Sequence, residues 1–389
     1  MHRYFLGLLI ILFQVITLSF ISEPDINTTR ARGMSNAFVG LANDEGALFY
    51  NPAGLHFIDT EIYNSETDVM KLLEEPTKQH MNASLDFFFN LGYFNAMQYI
   101  QNNKSTGPQM IQFNTGLEKK AYAKRALNFS LFSPDNGLSL YAVEDMQYIF
   151  QTTGVKANKD THFMAIYGKS FEMGPFALGL SGRGELLSRM YNNMTYAQIN
   201  SNNIQNAIDF ENTIFSDQNS ASIMNGVGFA GNIGIMTEWN NVRLGLAMEN
   251  FIASNINLQP IKGNVSQNLI ANEDWALQNL RAGLSYSDGD LVLAFDIHNL
   301  NRTSKEMSYH LGMEKDLINF WILPKLRLRA GASLSEQYFG YSAGVAFRVW
   351  VLQINMSYLE NRLNIDKVND STLTSSLDQQ ANINIEFSF

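Results

Sequence analysis

The sequence predicts an all-β fold: a transmembrane antiparallel β-barrel of about fourteen strands. Three observations predict it. Apolar and polar residues alternate from about His80 to Phe389 in segments of ~9–11 residues. That length crosses a bilayer at a tilt, whereas globular strands average ~5–6 residues. Aromatic residues stand at both ends of the apolar face, as Trp350 and Tyr358 do in "RVWVLQINMSYLE". The opposite face is small as well as polar, with Gly226, Gly228, Ala230 and Gly234 in one segment and Gly245, Gly283, Gly312, Gly331 and Gly344 in others. A soluble β-sandwich has no use for a glycine-lined solvent face, but a barrel whose lumen holds something does.

The first element, residues 1–22, is not part of that pattern. Arg3, an apolar run from Phe5 to about Ile16, and Ser19 and Ser22 have the layout of a secretory signal peptide cleaved between those serines. The chain contains no cysteine, so disulfide staples and a lipid anchor at the cleavage site are excluded. A net charge of −10 and a pI near 5.1 argue against a nucleic-acid partner. No later run reaches the ~18 apolar residues of a transmembrane helix.

Residues 23–60 do not alternate. They carry Ala37, Phe38, Val39, Leu41, Leu48 and Phe49, an acidic turn at Asp44 and Glu45, and then "NPAG". Pro52 fixes its own φ and keeps Asn51 extended, which makes one rigid corner. By spacing alone the segment is either a filler for the glycine-lined lumen or an ordinary loop with an Asn-Pro turn. Residues 61–79 read as a connector.

The barrel occupies 80–389. Its strands are expected near 80–90, 121–132, 137–150, 161–171, 175–187, 223–239, 241–250, 280–286, 290–298, 307–314, 325–333, 339–349, 350–359 and 381–389. Alternate junctions are tight ("SPDNG", "EMG", "EWNN", "SDGD", Arg348–Val351), with "DLINFWILPK" longer. The others, near 91–120, 188–222, 251–279 and 360–380, are long and rich in Asn. Short turns on one rim and long loops on the other are the outer-membrane pattern, short turns facing the periplasm.

Residues 30–54, "RARGMSNAFVGLANDEGALFYNPAG", resemble the N-terminal hatch signature of the FadL-type transporters of hydrophobic compounds. "NVRLGLAMENF" and "LRAGLSY" are similar to that family's strand text. The likeness departs at Arg32 and at Ser35–Asn36. It implies a fourteen-stranded barrel plugged by this segment, with Gly33, Phe38, Asp44, Glu45, Phe49, Asn51, Pro52, Ala53 and Gly54 in the hatch. It also implies an inward kink in the third strand, for which "NGLSLYAVEDMQYIF" offers no internal break. The implied function is an outer-membrane channel for passive uptake of hydrophobic or amphipathic small molecules, such as long-chain fatty acids, seated in outer-membrane lipid. The alternative is a plugged barrel that transports nothing and grips a protein partner through its extracellular loops, as a secretion-system adaptor or surface protein.

Strand parity places several charged residues in the lumen. Arg243, Arg327 and Arg329 fall near the short-turn rim and are candidate clamps on the hatch, with Asp44 and Glu45 as partners. Arg183 and Arg281 lie nearer the long-loop rim, where they would pair with a ligand carboxylate, or in the plainer reading with a neighbour, as Arg183 with Glu185. In the long loops Ile204, Ile208 and Phe215 are spaced as a helical stripe, either a landing surface for an apolar ligand or simple loop packing. Asp296, His298, Asn299, Ser308 and His310 come together on one hairpin. Two facing histidines serve as readily as solvated lumen groups, and no spacing marks a metal site. The sequence therefore predicts no enzyme, no cofactor and no metal.

Overall fold

The structure, a computed structural model, describes residues 28–58, 81–90, 119–150, 154–195, 214–215, 222–262, 272–273, 278–303, 306–318, 325–336, 338–349, 351–363 and 377–388. The predicted signal peptide, the connector, Ile204 and Ile208 lie outside the described residues.

Fourteen strands form the wall: β1 (Asn82–Asn90), β2 (Lys119–Ser133), β3 (Asn136–Phe150), β4 (Gly154–Met173), β5 (Phe176–Thr195), β6 (Ser222–Trp239), β7 (Val242–Ala253), β8 (Asn279–Asp288), β9 (Leu291–His298), β10 (Ser308–Ile318), β11 (Lys325–Ser335), β12 (Tyr338–Val349), β13 (Leu352–Leu363) and β14 (Leu377–Ser388). Each pairs antiparallel with its neighbour in sequence. The cylinder closes where β1 meets β14, from Asn82 opposite Ser388 to Asn90 opposite Gln380. Closure satisfies every edge strand, a requirement inside a bilayer. The short segment Gln259–Lys262 pairs with the start of β6.

The two faces follow the alternation. Leu127, Phe129, Leu140, Phe163, Tyr167, Leu244, Phe295 and Leu311 are exposed on the outside, where lipid is the solvent. Ser84, Asp86, Asn128, Ser130, Ser139, Asp296 and Asn355 are buried on the inside. Among the described residues no helix is long and apolar enough to cross a membrane.

Two features differ from the sequence reading. β4 and β5 have 20 residues each, not the eleven to thirteen of 161–171 and 175–187, and they pair without interruption from Gly154 opposite Thr195 to Met173 opposite Phe176. The upper part escapes a sequence reading because its outer face meets protein. The outward residues Met146, Tyr148, Val155, Ala157 and Met194 are all buried. Phe215 stacks at a tilt on Tyr148 with centroids 6.2 Å apart, and the Asn192 amide donates to the Ile214 carbonyl. Covered this way, the outer face can carry polar residues such as Lys159 and Asn192 among its apolar ones, which breaks the alternation.

The second difference concerns the inward kink implied for the third strand. β3 pairs in unbroken register with both β2 and β4 along its whole length. The wall is irregular elsewhere, between β6 and β7, where pairing jumps from Gly231–Ile252 to Ile233–Met248. Asn250 there adopts φ +54, and its N–H donates to the Asn232 side chain (2.8 Å) in place of a ladder carbonyl. An amide supplied by the wall itself repairs the gap.

Candidate functional site: the hatch and the lumen around it

Residues 28–58 fold as short pieces: α1 (Thr29–Gly33), α2 (Ala47–Tyr50) and a 3-10 turn (Pro52–Phe57). None would persist alone, since isolated helices this short are unstable in water. They persist because they are enclosed. Ala31, Met34, Phe38, Val39, Leu48, Ala53 and Leu55 are completely or almost completely buried, in one core with the inward faces of the strands. The inward face is cut back to admit them. A Cβ on Gly179 would lie 1.9 Å from the Ala53 nitrogen, and one on Gly234 would lie 2.0 Å from Asn51 Oδ1. Gly245, Gly283, Gly312, Gly331 and Gly344 meet Val39, Gly40, Met34 and Gly33 in the same way.

The "NPAG" corner has a local reason at each position. Asn51 is buried; its Oδ1 accepts from Ala53 N (3.2 Å) and its Nδ2 donates to Val39 O (3.2 Å) and to Ile235 O of β6 (3.4 Å). Pro52 opens the 3-10 turn, where its missing N–H costs nothing. At Gly54 a Cβ would come within 1.9 Å of the Ala42 carbonyl oxygen. Phe49 packs edge-on against Tyr141 of β3, and Phe38 edge-on against Tyr50.

The other end of the hatch is charged. Arg30 makes a bidentate pair with Glu314 of β10, Nε to Oε2 and Nη2 to Oε1, both 2.9 Å. Its Nη1 reaches Asp44 (3.1 Å) and Asn43 (2.9 Å). Burial alone would lower the Arg30 pKa, but Glu314 and Asp44 outweigh it and hold the guanidinium above its ordinary value. Arg32, fully buried, lies 4.1 Å over the Phe88 ring, whose aromatic face is one of the groups that meet its charge. Thr29 Oγ1 donates to Asp86 (2.8 Å). Glu45 is driven well above the ordinary carboxylate range by burial and by the nearby charges of Asp44, Asp86 and Glu386.

The candidate clamp arginines sit as follows. Arg329, with no exposed side-chain surface, pairs with Glu314 (2.6 Å) and Asn355 (2.9 Å). Arg327 binds Asp316 and lies 3.3 Å from Glu314. Arg243 pairs with Glu238 (2.7 Å) and stands 5.2 Å over the hatch ring of Phe57. Among the described residues these three arginines pair with carboxylates other than Asp44 and Glu45. Asp44 is taken by Arg30, a cation in its own segment, and of the wall arginines Arg327 and Arg329 converge on the wall carboxylates Glu314 and Asp316. Arg30 and Glu314 are the pair that sequence reading missed; Glu314 stands two residues from Gly312, on the same inward face, and counting luminal carboxylates as well as arginines would have flagged it.

Arg183 lies 3.8 Å from Glu185 and donates to Asn250 (3.2 Å). Arg281 pairs with Glu249 and stands 5.6 Å from the Tyr50 ring. Both guanidiniums thus already face a carboxylate. Phe215 is buried against the outside of the wall with Lys159 over its ring, not displayed above the lumen. At the hairpin of histidines, Ser308 Oγ lies 2.8 Å from His310 Nε2, and His310 Nδ1 lies 2.7 Å from the Ser35 carbonyl oxygen. That carbonyl requires Nδ1–H, leaving Nε2 to accept from the serine. Asp296 meanwhile accepts from Phe38 N and from Val39 N (2.6 Å). These polar groups tie the hatch backbone to the wall. Among the described residues no cluster of three metal-ligating side chains occurs.

Among the described residues, spaces lie both below and above the hatch. Below it, at the short-turn rim, a vestibule of about 410 Å³ is bounded by Arg30, Asp44, Ile58, Arg243, Glu314 and Arg327. Above, within the tall part of β3–β6, a cavity of about 130 Å³ is lined by Lys156, Arg189, Tyr191 and Met224 among others.

The fold is that of the FadL-type outer-membrane barrels. Superposition on the toluene transporter TbuX of Ralstonia pickettii gives a TM-score of 0.50 at 12% identity, covering 92% of this chain and 96% of that chain. The toluene transporter TodX of Pseudomonas putida gives 0.49 at 13% identity over 95% and 99% of the two chains, and a FadL homologue from Pseudomonas aeruginosa 0.46 at 12% over 93% and 97%. At such identities the likeness is one of fold. No family model matches the sequence, and no curated protein matches it.

Proposed function

We propose that this chain is an outer-membrane channel, without catalytic activity, for the passive uptake of hydrophobic or amphipathic small molecules, a class that includes long-chain fatty acids. The observation that carries this reading is the fit of the hatch: a segment of small pieces occupies recesses in the wall, with a cavity above it and a vestibule below. A rigid core would not need its contacts cut to glycine around so much of the wall. A removable obstruction, shaped to its seat, divides two compartments in this way. The toluene transporters of the same fold support the choice of cargo class.

The chain has no cysteine, so a single engineered pair tests the obstruction cleanly. A Cβ at Gly137 would stand 3.2 Å from Leu48 Cγ, the place a cysteine sulfur at position 48 would take, so two thiols here can meet. In proteoliposomes, Leu48→Cys with Gly137→Cys should block uptake of toluene and of a fluorescent fatty acid when oxidised, and reduction should restore it. Equal uptake in the two redox states would overturn the hatch as a gate. Uptake no faster than in protein-free vesicles would overturn the channel.

A further inference from the structure

The carbonyl of Leu48, in α2, cannot be satisfied by its own helix. The residue four places on is Pro52, which has no N–H to offer. The wall supplies the donor instead: Ser181 Oγ of β5 donates to Leu48 O (3.2 Å). Ser181 is aimed in turn. Asn232 Nδ2 of β6 donates to its hydroxyl oxygen (3.1 Å), Asn232 Oδ1 accepts from Asn250 N (2.8 Å), and Asn250 Oδ1 accepts from Arg183 Nη2 (3.2 Å). The donations run one way, from Arg183 to Leu48, so displacing one member disturbs the next. Asn232 and Asn250 are also the residues that repair the irregular pairing of β6 with β7. The irregularity and the hatch therefore share one side chain, Asn232.

Above the irregularity β7 is held lightly. Its ladder continues through Gly231–Ile252 and Ala230–Ala253, and Ser254 N donates to Phe229 O (2.9 Å). Residues 254–258 then fold inward as a strap, before pairing with β6 resumes at Asn225–Gln259. Ile256 and Leu258 are buried with Leu187, Met224 and Ala230 in an apolar cluster separate from the hatch core. Gly226 leaves them room, since a Cβ there would collide with Ile256 Cγ2. Met224, Gly226 and Ala230 share the face of β6 on which Gly234 meets the hatch, so the strap lies in the lumen. Gly226 is eight residues along β6 from Gly234, roughly 27 Å of strand toward the long-loop rim. A solute entering from that rim meets the strap before the hatch, and the strap's apolar seat is a surface for which an apolar solute competes.

Resting on the channel reading, we propose that strap and hatch are one coupled device. An apolar solute that displaces Ile256 and Leu258 from their seat shifts Asn250, Asn232 moves with it, and Ser181 releases the Leu48 carbonyl. The neutral end of the hatch is then free to leave its recess.

A disulfide in the full-length protein tests the coupling, with toluene as the solute. Gly226→Cys with Ile256→Cys pins the strap to β6 when oxidised and frees it when reduced. Hydrogen exchange of hatch residues 44–55 should be slower in the oxidised form by about tenfold, within the range usual for coupled sites. Toluene should speed that exchange in the reduced form alone. Ser181→Ala removes the last link and leaves Asn232 on Asn250, so in that background exchange should be fast in both redox states, and Asn232→Ala should act alike. Unshifted gel mobility of the unheated variants confirms that they fold. Hatch exchange indifferent to the redox state of the strap, or a difference that survives Ser181→Ala, would overturn the coupling. The two readings fail separately: toluene uptake by proteoliposomes with hatch exchange blind to the strap removes the coupling and keeps the channel, and strap-dependent exchange without any uptake does the reverse.

Discussion

The two ends of the hatch are held by different forces. The end at Arg30 is fixed by charge: Arg30, Arg327 and Arg329 converge on the single carboxylate of Glu314. The end at Asn51–Leu55 is fixed by shape, through backbone contacts, amide bonds and side chains seated in Gly137, Gly168, Gly179 and Gly234. Buried ion pairs resist separation because each partner left behind is an uncompensated charge. Contacts of shape and neutral hydrogen bonds part at a lower cost per group. A hatch attached in this way would swing from its neutral end about its charged one.

That difference is broken most decisively with two locks. Ser35 and Ser342 face each other with their hydroxyl oxygens 2.9 Å apart near the charged end. The pair Ser35→Cys with Ser342→Cys should oxidise without stopping uptake, whereas the lock at Leu48 and Gly137 should stop it. Uptake lost equally under both locks would mean that the hatch leaves its seat whole.

Next in size is the loss of the charge clamp. Glu314→Ala deprives three guanidiniums of their shared partner and should cost about 3–5 kcal/mol of barrel stability. The readout is the urea concentration at which the compact gel band is lost, and a shift within error of wild type would show that the clamp carries little load. At the neutral end, Asn51→Ala removes the cap of the 3-10 turn and two donations to carbonyls, about 1–2 kcal/mol. In uptake the order reverses: Asn51→Ala should leak more than Glu314→Ala if the neutral end is the mobile one.

The same contrast explains what could be read from the sequence. Lipid outside and polar groups inside impose strict alternation, so all fourteen strands were legible from segments such as 339–349 and 290–298. Where protein replaces lipid, the rule lapses. Tyr148, Ala157 and Met194 face outward yet are covered, and the upper halves of β4 and β5, with Lys156 and Arg189, passed for loop. Alternation also gives a side chain's face but not its partner. It put Arg327 and Arg329 in the lumen without revealing that Arg30 would reach Asp44 before they did. The glycines were conspicuous because a missing side chain is visible in one dimension; an ion pair spanning 284 residues, such as Arg30 with Glu314, is not.

The smallest expected effect concerns Glu45, which lies between the two regimes. Its carboxyl is buried near Asp44, Asp86 and Glu386, and only one of its oxygens has a hydrogen-bond partner among the described residues, Asn384 at 3.5 Å. Burial and those like charges raise its folded pKa above the ordinary 4.5. A carboxyl raised in this way contributes fully below pH 4.5 and loses that contribution as pH climbs through the folded value, because the folded state must then hold an unwelcome charge. Glu45→Gln carries no such charge at any pH. The variant should therefore match wild type at pH 4 and be the more stable of the two at pH 8, measured as the temperature at which the compact band converts on a gel. The opposite order at pH 8 would mean that Glu45 is ionised and paired in its seat, and would move it from the neutral part of the hatch to the charged one.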